Sequence, residues 1–87
     1  MFAKNKTDLI NKLKSLQGKA IFKLTRTDSF NNGEFIKVLH KVTLDKIILI
    51  DNNMQQGSLY FPKANEIEYI ENGFKIKNCT LELIKVF

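Results

Sequence analysis

The stretch LINKLKSLQGKAIFKLTRT, Leu9 to Thr27, changes period at Gly18 and decides the fold. Before the glycine, Leu9, Ile10, Leu13 and Leu16 recur at i, i+1, i+4 and i+7, the stripe of an amphipathic helix predicted over about residues 7–17. Thr7 or Asp8 is the expected N-cap, Gly18 is placed to end the helix in a left-handed conformation, and Lys12 and Lys14 complement the dipole. An isolated helix of roughly 11 residues is marginal in water, so its apolar stripe needs a cover. After the glycine the pattern alternates. Ala20, Phe22 and Leu24 fall on one face of a first strand, and Ile21, Lys23 and Thr25 on the other.

Outward from this switch the chain reads as short apolar runs between Asn and Gly clusters. The loop DSFNNG leads to a second strand, Glu34 to Val42, apolar on both faces, as expected where a strand bends across a barrel. Ile47 to Ile50 is a third strand and DNNMQQG a turn. Ser58 to Phe61 is a fourth strand that Pro62 stops or confines to an edge, because proline cannot donate to a ladder. Asn72-Gly73 suits a type I′ two-residue turn, which would pair Glu71 with Phe74 and Glu68 with Lys77 and put Ile67, Tyr69, Phe74 and Ile76 on one face. A last apolar strand runs from Leu81 to Phe87. The expected fold class is α+β, mostly β: an N-terminal helix and a small bent antiparallel sheet or barrel, residues 19–87, with an extra C-terminal hairpin and strand, all in one domain of residues 1–87.

The chain carries 14 Lys and Arg against nine acids. The basic excess lies in residues 1–50, which hold ten basic residues and four acids. Between Lys4 and Arg26 stand seven basic residues and one acid, Asp8. That density suits a polyanion such as nucleic acid or an acidic protein surface, and equally an ordinary solvated face. A single cysteine, Cys79, rules out an internal disulfide and reads as a small buried hydrophobe. With no secretory segment and no apolar run of about 18 residues, a soluble cytoplasmic protein is expected.

Residue counts speak against catalysis. His40, the one histidine, reads as a strand residue, and with Cys79 it supplies only two soft ligands, so no zinc site and no cofactor is expected. The four glycines are isolated, so none builds a phosphate-cradling loop. The chain reads as a binder and not an enzyme. Phosphate contacts are expected from Lys19, Lys23, Arg26 and Lys37, and stacking from Phe30, a lone ring in DSFNNG whose competing role is to fold back over the barrel mouth. Tyr60 is the second aromatic candidate.

The helix-Gly18-strand entry, Gly33 opening a bending strand, DKIILID (Asp45 to Asp51) and YFPKANEIEYI (Tyr60 to Ile70) together resemble the Sm-like fold, including the bacterial Hfq family, over about residues 8–70. By that resemblance Lys46 stands near the asparagine that contacts RNA bases in Sm proteins. Lys63 stands near the basic residue of the Hfq tyrosine-lysine-histidine turn, with Ala64 in place of the histidine. The resemblance implies RNA binding and a homo-oligomeric ring. The alternative is a protein-interaction module, such as a small accessory or inhibitor protein of a phage or mobile element that occupies an acidic or nucleic-acid-binding surface of a host protein.

Overall fold

A computed structural model describes residues 1–28 and 32–87. The order of elements is α1 (Lys6–Ser15), β1 (Ala20–Thr27), β2 (Asn32–Val42), β3 (Lys46–Ile50), β4 (Gln56–Tyr60), a 3-10 turn (Ala64–Glu66), β5 (Ile67–Ile70), β6 (Gly73–Ile76) and β7 (Cys79–Val86). The strands form one antiparallel sheet in the order β4-β3-β2-β1-β7-β6-β5. It curls into a half-barrel. The outcome is the bent open sheet and not the closed barrel: β4 and β5 are its two ends, and the Phe2 N–H reaches across to the Ile70 carbonyl at 3.2 Å.

Alternation sets the inner face. Ala20, Phe22 and Leu24 of β1 are buried, as are Leu39 and Val42, Ile47 and Leu49, Phe74 and Ile76, and Cys79 and Leu81. The helix lays Leu9, Ile10 and Leu13 onto this face, and Phe2 follows it in. The Phe2 ring meets Phe22 edge-on at 6.2 Å and Phe74 at 6.2 Å, with the Lys12 ammonium 4.4 Å from the ring centroid on its outer side.

The N-cap is Asn5 instead of Thr7 or Asp8. Its side-chain oxygen accepts from the Asp8 N–H at 2.9 Å, while the Asp8 carboxylate accepts from the Lys4 N–H at 2.9 Å. The two short side chains thus satisfy donors at the helix start reciprocally, and Asp8 places its charge in the first turn where the dipole favours it. At the other end Gly18 takes φ +75 and donates to the Leu39 carbonyl at 2.8 Å, and the Gln17 side chain accepts from the Val42 N–H at 2.7 Å. Between those two anchors β2 shifts register against β3, from Leu39 to Lys41, so that Val42 turns inward and Lys41 outward.

The C-terminal hairpin differs from the sequence expectation by its turn. Ile70 faces Gly73, Tyr69 faces Phe74, Glu68 faces Lys75 and Ile67 faces Ile76, so the turn residues are Glu71 and Asn72. Neither takes the positive φ that a type I′ turn requires. Gly73 belongs to the strand, buried against β7, where it faces Glu82. A Cβ built there would lie 1.8 Å from the Leu81 carbonyl oxygen. Close backbone approach, not turn geometry, is what the glycine provides. The inward set of Ile67, Tyr69, Phe74 and Ile76 is unchanged by the shift.

Tyr69 carries a hydroxyl that is buried without a hydrogen-bond partner. Burial, and secondarily the Asp8 carboxylate, raise its ionisation above the ordinary 10.0. Because the folded state holds this proton more tightly than the unfolded chain, stability falls as pH rises past about 10. Tyr69→Phe is expected to leave stability near pH 7 unchanged or slightly higher, since the unpaired hydroxyl is gone, and to flatten the alkaline decline. Urea titrations at pH 7 and pH 11 check both.

Candidate nucleic-acid interface

The expected cationic residues do not share one surface. Alternation along β1 sends Lys23 outward and Arg26 inward. On the outer face Lys23 lies directly opposite Glu82 of β7, with Nζ 3.8 Å from the carboxylate. Lys19 is exposed just before β1, its carbonyl accepting from the Phe87 N–H at 2.6 Å. Phe30 lies outside the described residues.

Arg26 and Lys37 meet at one mouth of the curl. Phe22 faces Lys37 and Leu24 faces Phe35 across the β1–β2 ladder, so Lys37 and Phe35 look inward with Leu24 and Arg26. These residues border a cleft of about 180 Å³ whose floor includes Leu49, Leu59 and Cys79. Each cation has a carboxylate at hand: Arg26 Nη2 is 3.1 Å from Asp28 Oδ2, and Lys37 Nζ is 3.9 Å from Asp51 Oδ2. Arg26 Nε is buried without a partner. The cleft is close to neutral in formal charge, so it offers a phosphate little net attraction.

A second cluster stands on the outer face at the β3–β4 corner. Lys46 lies directly opposite Tyr60, with Nζ 5.4 Å from the ring centroid. The ring is 61% exposed. Lys41, turned outward by the β2 register shift, faces Ile48, the residue two beyond Lys46 on the same side of β3. Lys63 is exposed immediately before the 3-10 turn, on a stretch that meets the start of the helix: the Lys6 ammonium donates to the Pro62 carbonyl at 2.8 Å, and Ala64 lines a shallow pocket with Asn5 and Asp8. None of the ion pairs among the described residues involves Lys41, Lys46 or Lys63. An exposed aromatic ring with a cation against it suits single-stranded nucleic acid, which offers bases for stacking and phosphates for contact.

Sequence reasoning named Lys46, Lys63 and Tyr60 but not Lys41. Strict alternation from Lys37 and Leu39 would turn Lys41 inward, and only the register shift reverses it. His40, at that shift, is exposed, and Cys79 is buried. Among the described residues there is no group of three or more His, Cys, Asp or Glu placed to hold a metal ion. Among the described residues no helix is long and apolar enough to cross a membrane. No family model, curated protein or solved structure matches the chain.

Proposed function

We propose that this chain is a small, non-enzymatic cytoplasmic protein that binds single-stranded RNA or DNA at the β3–β4 corner. Tyr60 stacks on a base, and Lys41, Lys46 and Lys63 contact phosphates on either side of it. The observation that carries the reading is the exposed Tyr60 ring under the Lys46 ammonium, neither Lys46 nor the exposed Lys41 and Lys63 being in an ion pair among the described residues. An Sm-like reading of the half-barrel accompanies the proposal, on the helix that enters β1 through Gly18 and the 3-10 turn before β5. The strand that returns to β1 is β7, with the β5–β6 hairpin lying outside it.

Fluorescence anisotropy with a labelled single-stranded oligonucleotide at roughly 50 mM salt tests the reading, since phosphate contacts are strongest there. With three phosphate contacts, log Kd against log salt has a slope of about 2. Tyr60→Ala weakens binding about tenfold, within the range of base-aromatic stacking, while Tyr60→Phe keeps the ring and most of the affinity. Absence of binding at that salt refutes the proposal.

A second reading, a module that docks on a protein, draws on the outer face. Ile21, Val38 and Ile50 lie opposite one another in a row across β1, β2 and β3, and Ile36 beside them is 53% exposed. Nuclease treatment of a lysate before pull-down separates the two readings, because a protein partner survives it and an RNA-bridged one does not.

A further inference from the structure

Strand β4 ends the sheet with half of its backbone groups unused. The Phe61 N–H donates to the Asp45 carbonyl at 2.9 Å and the Asp51 N–H to the Gln55 carbonyl at 3.2 Å. Both bonds continue the β3–β4 register, in which Lys46 faces Tyr60 and Ile50 faces Gln56. Bonded and non-bonded pairs alternate along an antiparallel ladder. Gly57 and Leu59 therefore bond to β3, and Gln56, Ser58 and Tyr60 aim N–H and C=O away from it. Among the described residues nothing accepts or donates there.

The devices that normally guard such an edge are missing from β4. QGSLY contains no charge and no proline, and its pairing with β3 has no bulge. The opposite edge is guarded: β5 carries Glu68, and the Phe2 N–H caps its Ile70 carbonyl. The contrast singles out β4 as the edge built to be paired.

We infer that β4 pairs antiparallel with β4 of a second copy of this chain, on a two-fold axis through Ser58. In that register Ser58 faces Ser58, and Gln56 of each copy faces Tyr60 of the other. These are the residues with outward groups, so every open donor and acceptor of β4 is used and each pair exchanges both bonds. An uncharged strand meets its own copy without repulsion. The axis runs normal to the sheet, so both Tyr60–Lys46 corners lie on one outer face. The pairing itself does not rest on nucleic-acid binding.

Sedimentation of the full chain without nucleic acid, at roughly 100 µM and so well above a micromolar Kd, should give about twice the 10.1 kDa of one chain. Ser58→Lys, which puts like charges face to face, should return it to a single chain. Ser58→Cys should be joined chain to chain by a short bis-maleimide and Gln56→Cys should not, because only residue 58 meets itself, about 5.5 Å across a bonded pair, while the two copies of residue 56 stand farther apart; Cys79, buried, is common to both. A single-chain mass for the wild type, a larger ring, or equal cross-linking at 56 and 58 overturns the inference.

Discussion

Gly73→Ala is expected to lower stability by about 3 kcal/mol, at the upper end of what overpacking costs, because the atom in the way is backbone. The alanine Cβ would stand 1.8 Å from the Leu81 carbonyl oxygen and 2.8 Å from the Leu81 carbonyl carbon. A flexible side chain could swing aside; a carbonyl in the β6–β7 ladder cannot move without opening Gly73–Glu82 and Phe74–Leu81 together. The Asn72 carbonyl, which accepts from the Leu83 N–H at 2.7 Å, would be carried along. A urea midpoint shift measures the effect. An alanine tolerated within about 0.5 kcal/mol would mean that the hairpin turns at Asn72-Gly73 after all.

Phe22→Ala should cost more, about 4 kcal/mol, a large share of the 5–15 kcal/mol typical of a small domain. Phe22 is fully buried in the central strand, edge-on to Phe2 and opposite Leu83 of β7. Truncation leaves a void that the ladders on both sides of β1 hold open. Phe22→Leu, which keeps most of the volume, should cost less than half as much. The ratio of the two, read from chemical denaturation, separates lost volume from lost ring contacts.

The helix and the first three strands were legible because each is bounded by a local signal, whereas β4 takes in Gln56 and Gly57 from the stretch that reads as a turn, because Ile50 and Leu49 of β3 pair with them. Gly18 marks the change of period, and the runs at β1 to β3 alternate or are bounded by Asn and Gly. The hairpin register was not legible. Asn72-Gly73 carries a strong turn cue, but the glycine answers to Leu81, a residue of the next strand, and no local pattern reports that contact. Asn5 caps the helix four residues ahead of Leu9, where the apolar stripe starts, because capping depends on where the first helical turn begins. In the candidate site, opposite faces for Lys23 and Arg26 follow from their odd spacing on one strand. The Arg26–Lys37 cleft depends on the β1–β2 register and the Lys41–Lys46 grouping on a register shift, and both are decided by pairing across strands.

The place of β1 at the middle of the sheet governs how the molecule must assemble on the ribosome. One side of β1 pairs with β2, its immediate successor, but the other waits for β7, so that Ala20 meets Val86 and Leu24 meets Leu81. Until those last residues emerge, the nascent meander of β1 to β4 carries a bare inner edge and an uncovered Phe22. Such distant pairing slows folding and leaves sticky surface open in the interval. The helix, made before the strands, can shield that surface until β7 emerges.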